Sequence, residues 1–142
     1  MEERYRILPH AADGKFRAFG RTLEEAFANA ALAAASFMWD WRRIAPAGSI
    51  SIEVAGRDLE QLLYRFLEEV LYVFETRRFV LAAAEGVTIE SAPDGRRLRA
   101  LLRGDEIGPG TELHGEVKAV TYNEMKIEED GGGWTVQAVL DL

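Results

Sequence analysis

Three carboxylates in this chain stand where strands begin or end, and its chemistry is expected there. The run Trp134 to Leu142 reads as a closing strand, with Asp141 as its last polar side chain and Leu142 carrying the α-carboxylate. Chain ends usually fray, so an end inside an apolar strand is expected to be tied down. The Asp141 side chain and the Leu142 carboxylate then lie close together, and like charges that close repel unless a cation or donors sit between them. Near the other end, His10-Ala11-Ala12-Asp13 follows the apolar run Tyr5 to Leu8 and sets a third carboxylate at a strand end. If both strand ends open on one rim, Asp13, Asp141 and Leu142 form an oxygen-only set suited to Ca²⁺, Mn²⁺ or Mg²⁺. Three ligands are few for Ca²⁺, so water or a partner's groups must complete the shell. Taken singly, each aspartate has a plainer reading: Asp13 as an acceptor for turn N–H groups, and Asp141 as a polar strand end.

The residues around this set carry open alternatives. His10 either orients the Asp13 carboxylate or closes the turn. His114, in the loop before Glu116, reads as a surface residue that could share the rim. Lys118 lies between Val117 and Ala119, so its charge is expected to pair with a glutamate or to balance the three carboxylates. Gly131-Gly132-Gly133 is a turn and not a phosphate loop, because no helix opening on Lys-Ser/Thr follows it. No Ser-His-Asp arrangement or nucleotide fingerprint is evident. The lack of an evident general base near the aspartates weighs against a metal-dependent hydrolase.

The elements that must position these residues can be read from periodicity. Leu23, Phe27, Ala30, Ala31, Ala34, Phe37 and Met38 recur at helical spacing, and Thr22 with Glu25 forms a capping box. The alanines allow close packing. A second helix follows Asp58 and buries Leu59, Leu62, Leu63, Phe66, Leu67, Val70, Leu71 and Phe74, leaving Glu60, Arg65, Glu68 and Glu69 in water. Strands are expected over Arg4–Leu8, Lys15–Phe19, Ser49–Val54, Val87–Ser91 and Arg96–Arg103, the last two joined by Pro93-Asp94-Gly95. Glu116 to Glu128 reads as one long, bent strand that turns at Asp130-Gly131-Gly132-Gly133 into the closing strand. The fold expected is α+β, two helices on one mostly antiparallel sheet that could include a mixed pair. Residues 1–142 form a single domain.

At 142 residues, with 48% hydrophobic and 29% charged side chains, the chain reads as an ordinary globule with a real core. Met1-Glu2-Glu3-Arg4 is too charged for a signal peptide and no stretch is long enough for a membrane span, so a cytoplasmic location is the expectation. The absence of cysteine excludes disulfides and thiolate metal sites. A formal charge of −7 opposes unaided RNA binding and favours a cation or a basic protein partner. Arg97 and Arg99 alternate on one strand face, the pattern of a solvated sheet surface.

The blocks His10 to Asp13, Gly20-Arg21-Thr22-Leu23-Glu24-Glu25-Ala26-Phe27, Val117-Lys118-Ala119-Val120-Thr121-Tyr122 and Trp134 to Leu142 together resemble the archease family, in order and across essentially the whole chain. The resemblance implies a small non-catalytic cofactor of an RtcB-type RNA ligase, which joins 2',3'-cyclic phosphate or 3'-phosphate ends to 5'-hydroxyl ends in tRNA splicing or RNA repair. It implies help with ligase guanylylation by GTP and with multiple turnover. It also places the family's metal ligands on Asp13, Asp141 and Leu142, with Ca²⁺ the first expectation. Two positions depart from the pattern. Ala11 stands where many members have threonine, removing a hydroxyl that could support the aspartate loop. Asn123 stands where many have histidine, so a proton shuttle there is not expected. The alternatives are a general chaperone or adaptor with a structural metal, and a metal-dependent hydrolase.

Overall fold

A computed structural model describes residues 3–10 and 13–142. Its strands are β1 (Tyr5–Leu8), β2 (Asp13–Gly20), β3 (Gly48–Gly56), β4 (Phe79–Ala92), β5 (Gly95–Glu106), β6 (Ala119–Val120), β7 (Lys126–Asp130) and β8 (Gly133–Asp141). The helices are α1 (Leu23–Ser36) and α2 (Leu59–Arg77), with a short 3-10 turn at Trp41–Arg43. The fold is α+β, and every strand pair among the described residues is antiparallel.

Both helices begin as their sequences require. The Thr22 hydroxyl accepts the Glu25 N–H at 3.1 Å, and the Glu25 carboxylate accepts the Arg21 N–H, one residue earlier than the capping box anticipates. Asp58 and Gln61 repeat the arrangement at α2. Helix α2 ends where Arg78 takes a left-handed φ of 52°.

The strands form two sheets rather than the single sheet expected. One runs β1-β2-β8-β6, with β7 also pairing β8; the other runs β3-β5-β4. Helix α1 explains the division. Ala26, Ala30, Ala31, Ala33, Ala34 and Ala35 are all buried, because α1 packs against β2 and β8 of one sheet and β4 of the other. A helix apolar all round is one covered on several sides. Trp39, just past α1, gives its indole N–H to the Leu81 carbonyl of β4 at 2.9 Å and locks that contact. Helix α2 closes the core from β3, β4 and β5 with Leu62, Leu63, Phe66, Leu67 and Val70.

Two strand expectations need correction. β4 begins eight residues earlier than the alternation beyond Val87 suggests (87 − 79), because irregularities at Leu81/Ala83 and Glu85/Thr88 break its period of two. The expected long strand Glu116 to Glu128 is divided. Val120 faces Leu140 and Lys126 faces Gln137, so Thr121 to Met125 oppose only Ala138 and Val139. The excess residues leave the sheet as a loop.

Candidate functional site

The sheet order puts β8 between β2 and β6, and its register fixes the rim. Asp13 lies directly opposite Asp141, and Asp141 lies opposite Ala119. Directly opposed residues share a face, with Cβ atoms typically about 5 Å apart, and like charges there are destabilising. The aspartates from the two ends of the sequence are therefore neighbours in space. The Lys118 N–H donates to the Asp141 carbonyl at 2.7 Å, and continuing the register sets Lys118 beside Leu142. Lys118 and Leu142 are both exposed.

Gly14 allows this end of β2 to pass under α1. A Cβ at that position would come within 2.8 Å of the Phe37 ring. Because β2 and α1 run in opposite directions, the end of α1 returns to the aspartate end of the sheet.

His10 joins the rim. Its Nδ1 lies 3.5 Å from Asp13 Oδ2, and its Nε2 lies 2.8 Å from Glu124 Oε2. A carboxylate only accepts, so the Nε2–H donates to Glu124. The other ring nitrogen is buried without a hydrogen-bond partner among the described residues. Of the two readings the sequence left open for His10, orienting Asp13 or closing the turn, the fold sets the ring beside Asp13 with its other nitrogen engaged by Glu124. Lys15, two residues after Asp13 and on the same face, donates to Glu124 Oε1 at 2.9 Å. These two bonds, Lys15 first and then His10, hold the Glu124 carboxyl below its ordinary range.

Glu124 sits on the loop that leaves the sheet, at a left-handed φ of 53°. That conformation costs about 1–2 kcal/mol for a residue with a Cβ. The buried Gln137 of β8 donates to the Glu124 carbonyl at 2.7 Å while accepting from Arg17 of β2. Tyr122 stacks on Tyr64 of α2 with ring centroids 4.4 Å apart.

Two of the expected supporting residues are not brought in. His114 donates its main-chain N–H to the Met38 carbonyl, and its ring lies 3.0 Å from the Ser36 carbonyl. It lines a separate cavity of about 750 Å³ with Asp40, Arg43, Asp105, Glu106 and Glu112. Asn123 is exposed, and its main-chain N–H bonds Thr121 Oγ1. Its neighbour Glu124 holds the place in the cluster. Ala11, with its missing hydroxyl, lies outside the described residues.

Among the described residues, no three side chains of His, Cys, Asp or Glu converge closely enough to hold a metal ion. Asp13 and Asp141 are a pair, so for an ion held there a third protein donor would come from outside the His, Cys, Asp and Glu side chains, such as a main-chain or terminal oxygen. Such a donor set fits a weakly held, hard cation and not a closed nitrogen or sulfur site. On the outer face of β5, Arg97 and Arg99 both reach Glu53, at 3.2 and 3.0 Å. With Glu90 of β4 also 3.5 Å from Arg99, their two charges are matched within the sheet, as a solvated surface requires.

Fold and rim together define a small α+β protein in which the start of β2 and the end of β8 meet at a carboxylate pair. The chain belongs to the archease family: the sequence profile of the Archease protein family matches residues 5–142. It is 36% identical over 141 residues to protein archease of Methanosarcina mazei, covering 99% of this chain and 97% of that one. With protein archease of Pyrococcus furiosus the identity is 42% over 135 residues, covering 94% of each chain. The solution structure of Methanobacterium thermoautotrophicum protein 1598 superposes with a TM-score of 0.84 at 34% identity, covering 98% of this chain and 99% of that one. A Thermotoga maritima crystal structure described as an archease and possible chaperone has the same fold, with a TM-score of 0.59 at 16% identity and 96% coverage of each chain.

Proposed function

We propose that this protein is a non-catalytic activator of an RtcB-type RNA ligase, promoting its guanylylation by GTP and its repeated turnover. The observation that carries the reading is the direct pairing of Asp13 with Asp141 in a chain that is archease-like throughout. Asp13, Asp141 and the Leu142 carboxylate would hold a divalent cation, Ca²⁺ first and Mn²⁺ or Mg²⁺ as alternatives. Such a cation supplies positive charge where phosphate oxygens must be neutralised. The chain's own residues do the rest. The cross-strand register presents the two carboxylates side by side, and His10 flanks Asp13. Lys118, one residue before β6, limits the accumulated negative charge. The net charge of −7 supports action through a protein partner rather than through RNA.

The test is a guanylylation assay: purified ligase, GTP and metal, with and without this protein, followed by the covalent ligase-GMP adduct. Faster adduct formation with wild type and none with Asp13→Ala or Asp141→Ala supports the reading. A general chaperone, the alternative to which the words "possible chaperone" used of the Thermotoga maritima protein point, would instead protect unrelated unfolding proteins and be indifferent to both substitutions.

A further inference from the structure

We propose that Glu124 is a positioning residue for the Asp13 carboxylate, acting through His10 and Lys15; this rests on the cation-site reading above. Its side chain makes two bonds at once, accepting from Lys15 Nζ at 2.9 Å and from His10 Nε2 at 2.8 Å. Those partners bracket Asp13 in sequence, three residues before it and two after it. Holding both restrains Asp13 from either side. The ring so held keeps Nδ1 facing Asp13 Oδ2 at 3.5 Å.

The loop around Glu124 is built to hold that side chain in place. Gln137 ties its carbonyl to β8, four residues before Asp141, and the Thr121 hydroxyl bonds the Val139 carbonyl. Tyr122 is stacked on α2. The residue itself adopts φ 53°, a conformation in which glycine or asparagine is the easier choice. A residue selected for the backbone alone would not be glutamate. Asparagine also could not span the distance to both partners, being one carbon shorter and carrying one oxygen. The geometry therefore separates two roles, because the substitution that relaxes the loop removes the clamp.

Three variants of the full chain exploit this: Glu124→Asn, Glu124→Gln and, as reference, Asp141→Asn. Two measurements are made on each. The first, without added metal, records ¹⁵N shifts of the His10 ring and amide order parameters at His10 and Asp13. Wild type is expected to show a ring protonated at Nε2 and rigid amides at both positions. Glu124→Asn should lose that ring signature and gain motion at both amides, with thermal stability equal to wild type or higher. The second is calorimetric titration with Ca²⁺. Glu124→Asn should weaken binding by about tenfold or more, the effect expected when a partner that orients a ligand is removed. Glu124→Gln, which keeps the length and an acceptor oxygen, should recover part of the loss.

Unchanged His10 shifts and order parameters in Glu124→Asn would overturn the inference whatever the cation does. Wild-type Ca²⁺ affinity in Glu124→Asn, alongside lost affinity in Asp141→Asn, would overturn it while leaving the cation site intact. No Ca²⁺ binding by wild type would remove the cation reading, and the ring and amide measurements would still decide whether Glu124 positions this loop.

Discussion

Replacing Asp141 by asparagine is expected to stabilise the metal-free protein slightly while abolishing its response to cations. Asp13 and Asp141 are direct cross-strand partners. At a separation of about 5 Å in a water-like dielectric, two unit charges repel by about 0.8 kcal/mol. Cross-strand pairs measured elsewhere span about 0.2–1 kcal/mol. Asp13 lies next to the linked His10, Glu124 and Lys15 side chains, so Asp141 is the cleaner position to neutralise. Asparagine keeps the shape and, at the exposed end of β8, buries no new polar group. A gain of about 0.5 kcal/mol corresponds to a rise of about 1–2 °C in Tm for a domain of this size. Wild type at a Ca²⁺ concentration one hundred times its Kd should gain about 2.7 kcal/mol, or about 5–10 °C. The variant should gain almost nothing. Scanning calorimetry with EDTA and with saturating Ca²⁺, on both proteins, reads all four values. A metal-free variant that melts several degrees below wild type would show that Asp141 makes structural bonds. A variant that keeps the Ca²⁺ shift would show that the ion binds elsewhere.

Tyr122→Ala should lower stability by about 1 kcal/mol in urea unfolding, from loss of the stack on Tyr64; no change would mean that the stack contributes nothing to holding the loop. The Glu124 carboxyl should titrate, by carbon NMR, with a midpoint below its ordinary 4.5. Because that pKa is lowered by folding, the clamp's contribution is complete above the ordinary range and lost as pH falls through the lowered value. A midpoint at or above 4.5 would contradict the bonds to Lys15 and His10. A C-terminal tag, which turns the Leu142 carboxylate into an amide, should impair ligase stimulation nearly as much as losing an aspartate. An N-terminal tag should not, and equal activity for the two forms would remove the terminus from the ligand set.

The helices and most strands were legible because their signals are local. Thr22 and Asp58 announce helix starts, and the apolar spacing of α2 picks out Leu62, Leu63, Phe66, Leu67, Val70 and Leu71, which are buried, while Leu59 and Phe74 are half-buried and Val73 is buried besides. The aspartate pair was legible for a different reason: an apolar closing strand has to sit inside a sheet, and β8 does. The second sheet was not legible, because an alanine-rich helix looks the same covered on one side or on several. The break in the expected strand from Glu116 to Glu128 was hidden too, since Val117 to Tyr122 and Lys126 to Glu128 both look extended. Only the register against β8 reveals that the residues between them outnumber the β8 residues they face. That loop carries Glu124, so the residue that meets His10 and Lys15 had no sequence signal beyond a charge two places from a tyrosine. His114 is the surface residue that its loop position suggests, exposed and with its ring at the Ser36 carbonyl.

The most direct measurement is the rate of ligase-GMP formation by a purified RtcB-type ligase under multiple-turnover conditions, with wild type, Asp13→Ala and Asp141→Ala compared at equal, folded concentrations. The expected result is stimulation by wild type alone, with both variants retaining wild-type circular dichroism. Full stimulation by either variant, or none by wild type, would contradict the proposal that the Asp13–Asp141 rim activates the ligase.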